Sequence, residues 1–204
     1  MIPSPPSLAK AVHLCVDMQR LFAEATPWQV KGLEGLIPNI RRITEARRGR
    51  TIFARFLIPA SAEAAKGNWQ PYYRHWSDIV DAAAADPDLV DLVPDLRDLA
   101  AQEGILDKTT YSMFTPPGLT ENLAARGAET VIITGAETDI CVLATIFDAV
   151  ERGLHVICVS DAVASSSVPA HEAALSLILP RMSEQITIMQ TDQLLSRLAK
   201  VSGR

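Results

Sequence analysis

The chain has 204 residues, 48% of them apolar and 21% charged, enough to bury a sizeable core and far from the composition of a disordered chain. With 19 Lys and Arg against 24 Asp and Glu, the formal charge is −5, the wrong balance for a nucleic-acid groove or an anionic membrane surface. Three widely spaced cysteines without a CxxC pair exclude a disulfide framework, and no apolar run approaches the ~20 residues of a membrane span. A soluble, cytoplasmic protein is expected, with residues 1–9 as a loose arm, since MIPSPPSLAK has no apolar stretch of signal-peptide type.

Short apolar runs alternate with amphipathic stretches along the chain. The first run, Val12–Val16, ends in Asp17 and is followed by a helical pattern over 32–48. The second spans Thr51–Ile58. Residues 59–77 then break the rhythm with a loop rich in Trp and Tyr (Trp69, Tyr72, Tyr73, Trp76), which suits a pocket wall, a flap packed on its own core, or a subunit contact. A helical pattern over 78–102 leads to a short run, Ile105–Asp107. Further runs at Thr130–Thr134, His155–Val159 and Ile186–Met189 alternate with helical patterns over 119–126, 139–152, 169–182 and 192–200. Thr191 suits an N-cap, and the glycines after Arg48, Arg126 and Arg152 suit helix ends. Continuous β-branched runs read as parallel strands buried on both faces. The alternation predicts one three-layer α/β domain over 1–204 with a parallel sheet.

In such sheets ligands bind at the carboxyl ends of the strands. Asp17 follows the first strand, Lys108 the third, and Cys141 the fourth, while Arg55 lies inside the second. Each has a plainer reading: Asp17 and Lys108 as a structural ion pair, Cys141 as a core thiol. Cys15 and Cys158 sit mid-strand among Val, Leu and Ile, as inert thiols do. Cys141 falls instead in the first turn of a helix over 140–152, where free N–H groups and the helix dipole lower a thiol pKa and can hold an oxyanion. No GxGxxG, Walker, HExxH or GxSxG motif is present. A Cys–His pair would need His13, His75, His155 or His171, of which His13 and His155 belong to buried strands.

The blocks Cys15-Val16-Asp17-Met18-Gln19-Arg20-Leu21-Phe22, Asp107-Lys108-Thr109-Thr110-Tyr111-Ser112-Met113-Phe114 and Ile133-Thr134-Gly135-Ala136-Glu137-Thr138-Asp139-Ile140-Cys141-Val142, in this order over nearly the whole chain, resemble the isochorismatase-like cysteine hydrolase superfamily. The resemblance implies a Rossmann-like six-stranded sheet in the order 3-2-1-4-5-6. It also implies an Asp17–Lys108–Cys141 triad and a cis peptide between Ala136 and Glu137, with the N–H groups of Glu137 and Cys141 as oxyanion hole. Cys141 would form a thioester with a small-molecule amide, Asp17 would shuttle the proton, and Lys108 would hold the thiolate. A homo-oligomer, dimer or tetramer, follows from the resemblance as well.

Departures from the family narrow this reading. The nicotinamidase branch binds a metal through an Asp-x-His and further His residues; here Arg55-Phe56-Leu57-Ile58-Pro59 and a lone His75 stand in that region, so neither metal nor cofactor is expected. The branch that hydrolyses a vinyl ether typically lacks the cysteine, so Cys141 favours C–N hydrolysis. The alternatives are a C–O hydrolase, a non-catalytic binding scaffold of the same fold, and a thiol sensor. Phe22, Trp69, Tyr72, Tyr73, Trp76, Tyr111 and Phe114 are the expected pocket wall, with Gln19 and Arg55 as polar contacts, Arg55 either to a substrate carboxylate or to a nearby acid.

Overall fold

The structure, a computed structural model, describes residues 8–202; residues 1–7 of the expected N-terminal arm lie outside the described residues. Six strands, β1 (Val12–Val16), β2 (Thr51–Phe56), β3 (Ile105–Lys108), β4 (Thr130–Ala136), β5 (His155–Ala164) and β6 (Ile186–Met189), form one sheet. It is parallel throughout, in the order 3-2-1-4-5-6. Helices flank it: α1 (Arg20–Ala23), α2 (Ile37–Ala46), α3 (Trp69–His75), α4 (Ser77–Ala85), α5 (Pro94–Glu103), α6 (Leu119–Ala125), α7 (Leu143–Glu151), α8 (Val168–Ala173) and α9 (Thr191–Ser202). None of the described helices is long and apolar enough to cross a membrane.

The central strands carry the core. Every residue of β1 and β4 is buried, as continuous apolar runs require when helices cover both faces. Each fully buried Val, Leu or Ile contributes roughly 1.5–3 kcal/mol relative to exposure. One polar side chain in that core, His13, is satisfied locally: Nε2 meets Thr134 Oγ1 at 2.8 Å, and Nδ1 lies 3.4 Å from the hydroxyls of Thr44 and Thr51.

Local chemistry explains where the elements differ from the sequence expectation. The stretch 78–102 divides because Pro87 and Pro94, lacking an N–H, each open a new turn, and the Asp86 side chain accepts from Asp88 N to start the first. Residues 59–77 are not a loop throughout; they hold a short 3₁₀ turn and α3. Strand β5 runs five residues past Val159, since after an irregularity Val163 and Ala164 pair with Gly135 and Ala136. Thr191 opens α9, and Asp161 Oδ1 accepts from both its N–H and its hydroxyl.

Two backbone features shape the carboxyl edge of the sheet. Gly135 has φ +105°, and a Cβ there would stand 1.9 Å from the carbonyl oxygen of Val16, so β1 and β4 close together only around glycine. Directly after Val16, Asp17 adopts φ +49°, turning the chain out of the strand so that Gln19 N donates to Asp17 O at 2.9 Å.

Candidate active site

The strand order reverses between β1 and β4, which opens a crevice at their carboxyl ends. Asp17 reaches it from the end of β1 and Cys141 from a π-helical turn, Thr138–Val142, between β4 and α7. Lys108, at the end of the edge strand β3, lies beside Phe56 of β2 in register and passes over its ring with Nζ 4.6 Å from the centroid. The ammonium donates to Asp17 Oδ2 at 2.7 Å and to Thr110 O at 3.1 Å, and stands 3.5 Å from Cys141 Sγ. All three side chains are buried. The second carboxylate oxygen, Asp17 Oδ1, makes no conventional hydrogen bond, while the Cys141 thiol interacts with the same carboxyl group. The peptide bond between Ala136 and Glu137 is cis.

The electrostatics correct one expectation. The Cys141 thiol is held well above its ordinary pKa, first by burial and then by the Asp17 charge, with Lys108 opposing both. The helix start does not outweigh desolvation, so the thiol keeps its proton at rest. Burial also raises Asp17, against the pull of Lys108. The resting arrangement is therefore a thiol beside a carboxylate–ammonium pair whose base is stronger than an ordinary aspartate.

Above these groups lies a cavity of about 280 Å³ lined by Phe22, Pro27, Trp28, Phe56, Tyr72, Trp76, Tyr111, Glu137, Ile140, Cys141 and Ser166. Trp28 is the hub of its wall, stacked on Phe22 at 6.1 Å and meeting Tyr72 at 5.9 Å and Trp76 edge-on at 6.0 Å. Burial raises the Glu137 carboxyl, which Ser166 hydrogen-bonds and Asp139 repels.

Of the residues expected in the pocket, Phe22, Tyr72, Trp76 and Tyr111 line this cavity. Trp69 stands behind it, 4.8 Å from Tyr111, and faces a second cavity together with Tyr73, whose hydroxyl is buried without a partner. Gln19, Arg55 and Phe114 are not part of the wall. Gln19 is fully buried, and its amide donates to Phe56 O and Val90 O and accepts from Phe56 N. Arg55 pairs bidentately with Asp107 and also with Asp91, so nearby acids take the guanidinium. Phe114 packs under the Arg152 guanidinium, 4.7 Å from its ring centroid.

Pro27, Trp28, Phe56, Ile140 and Ser166 line the cavity without being expected there from the sequence. Phe56 was recoverable, since it closes a strand at the binding edge; Trp28 sits in a stretch without periodicity and gave no signal. Among the described residues, no group of three or more His, Cys, Asp or Glu side chains is placed to hold a metal ion. His171 bonds Thr138, in the same turn as Cys141, through Nδ1 at 2.8 Å.

Comparison with known proteins agrees with this architecture. The sequence model of the Isochorismatase domain matches residues 11–190. The isochorismatase of Bacillus subtilis is 29% identical over 199 residues, a match spanning 95% of this chain but only 59% of that protein. The ureidoacrylate amidohydrolase of Variovorax paradoxus is 27% identical over 78% of this chain and 71% of its own length. A solved cysteine hydrolase from Pseudomonas syringae pv. phaseolicola superposes with a TM-score of 0.81 at 26% identity, covering 98% of this chain and all of that one (100%).

Proposed function

From the premise that the chain belongs to the isochorismatase family of hydrolases, we propose that it is a cysteine hydrolase cleaving a C–N amide bond of a small molecule, and that residues 1–204 form one such domain. The observation that carries this reading is the buried contact of Lys108 Nζ with Asp17 Oδ2 and Cys141 Sγ, at 2.7 and 3.5 Å, on the floor of an aromatic cavity.

Asp17 takes the thiol proton as Cys141 Sγ attacks the carbonyl carbon, and Lys108 steadies the thiolate. The oxyanion forms against the N–H groups of Glu137 and Cys141. Collapse breaks the C–N bond; Asp17 delivers its proton to the departing nitrogen, which leaves as ammonia or an amine. Water, deprotonated by Asp17, then hydrolyses the thioester to the acid and restores the thiol. The raised pKa of Asp17 suits both transfers, because an ordinary carboxylate is a poor acceptor for a thiol proton. The amidohydrolase among the relatives supports C–N cleavage. Its named substrate carries a carboxylate, and the described cavity offers no Arg or His to receive one.

The test is release of ammonia from a panel of small amides by wild type and Cys141→Ala, with peptide mass spectrometry of quenched reactions. Wild type should release ammonia and carry an acyl adduct on Cys141, and the variant should lose at least about a thousandfold in kcat/KM with an unchanged melting profile. Turnover retained by the variant, or vinyl-ether cleavage by an enzyme inert to every amide, overturns the reading.

A further inference from the structure

The cavity wall is aromatic and carries almost no charge. Six aromatic rings face it, and Glu137 is the only charged residue of the described lining. None of the ion pairs formed by the described residues includes Glu137, and the one at the site, Lys108 with Asp17, lies on the cavity floor. Its interactions are a hydrogen bond from Ser166 and repulsion from Asp139, itself with a buried Oδ1 that has no partner. Lys108 gives no counter-charge at the wall, because its ammonium is bound to Asp17 and Thr110 and lies against the Phe56 ring. Arg55, which the sequence left open as a contact to a substrate carboxylate or to a nearby acid, pairs with Asp91 and Asp107.

A half-buried carboxylate beside aromatic faces, without a cation, is a costly arrangement. A ligand removes that cost if it brings the positive charge itself. Trp28, Tyr72 and Trp76 all line the cavity, and an aromatic ring attracts a cation placed over its face, tryptophan most strongly. A ligand with a carboxylate meets the opposite: Glu137 repels it, the rings offer it nothing, and no guanidinium can pair with it.

We propose that the site takes small amides whose far end carries an ammonium or quaternary ammonium group, received by the aromatic wall and Glu137 while the amide carbon lies at Cys141. The word amide rests on the function proposed above; recognition of the cation rests on the wall alone.

Binding to the full-length Cys141→Ala protein by titration calorimetry tests this without turnover. Three amides share one three-carbon spacer: the amide of γ-trimethylammoniobutyrate, its tert-butyl isostere with carbon in place of nitrogen, and the half-amide of glutaric acid. The first and second match in shape and differ in charge. The cationic amide should bind about tenfold tighter than its isostere, and the anionic one more weakly than either. Adding Glu137→Gln should remove most of the cation's advantage, read as the ratio of the two affinities within that variant. Equal binding of cation and isostere, strongest binding of the half-amide, no binding of any of them, or a preference untouched by Glu137→Gln overturns the proposal. Ammonia release by the wild-type protein is read in parallel. If the ranking holds while wild type hydrolyses no amide, the hydrolase reading fails and cation recognition stands; if amides are hydrolysed but the ranking fails, the reverse follows.

Discussion

At the scale of single residues, the thiol and its two neighbours are coupled so that each partner pushes Cys141 in a known direction. Burial raises its pKa most, the Asp17 charge raises it further, and Lys108 lowers it. Asp17→Asn removes the repulsion and leaves an ammonium beside the sulfur, so the apparent pKa for iodoacetamide alkylation of Cys141 should fall while amide turnover disappears. Lys108→Met should move the same pKa up. A variant set in which Asp17→Asn slows alkylation at neutral pH would show that the carboxylate does not face the thiol. Gly135 makes an equally sharp case. A methyl group there meets the Val16 carbonyl at 1.9 Å, where only backbone movement makes room, and Val16 immediately precedes the catalytic candidate Asp17. Gly135→Ala should cost several kcal/mol and most of the activity, whereas Gly49→Ala, at φ +73° in open space, should cost only about 1 kcal/mol. Chemical denaturation of the pair decides it; similar losses at both sites would mean that the strand contact yields easily.

At the scale of elements, the candidate site stands on connections that the sequence pattern reveals unevenly. Continuous β-branched runs mark the buried strands and their parallel orientation, the short third strand is only faintly marked, and the order 3-2-1-4-5-6 follows from the family resemblance. The triad positions follow from strand ends and from family blocks. The wall of the cavity is less legible, since its residues come from a short helix, an aperiodic stretch and the segment 59–77, none of which carries a repeating signal. Gln19 shows why: a polar residue two positions from Asp17 reads as a ligand contact, yet its amide fastens the turn after β1 to the end of β2 and to Val90. Gln19→Leu keeps the volume but leaves the Phe56 N–H and carbonyl without their partner. Such a loss of buried hydrogen bonds costs about 2–4 kcal/mol. Because the same turn carries Asp17, kcat should fall along with stability. Unchanged urea unfolding for Gln19→Leu would mean that water replaces the amide at no cost.

At the scale of the whole molecule, the tie between β1, β2, β4 and α2 passes through one imidazole, and this gives the protein an acid limit. His13 is fully buried and its pKa is lowered from the ordinary 6.5 to about 3, by burial first and then by the Arg47 charge. The unfolded chain therefore binds a proton at His13 through a range in which the folded protein does not, and stability falls as pH drops from about 6.5 toward 3. Asp17 works in the opposite sense. Its carboxyl is raised in the folded state, so the folded protein takes that proton more readily than the unfolded chain does and regains some stability on acidification. Near pH 5 an unperturbed histidine is already charged and an unperturbed aspartate is still ionised, so the two groups act against each other there, and substitution of His13 isolates its share. Urea unfolding at pH 7 and pH 4.5 should differ for wild type by on the order of 2–3 kcal/mol from His13 alone. In His13→Gln, which retains a donor for Thr134, the two curves should draw together even though the variant is less stable at neutral pH. If the pH dependence of His13→Gln instead parallels that of wild type, the acid limit lies with the carboxylates, and the buried imidazole is a packing element without a part in it.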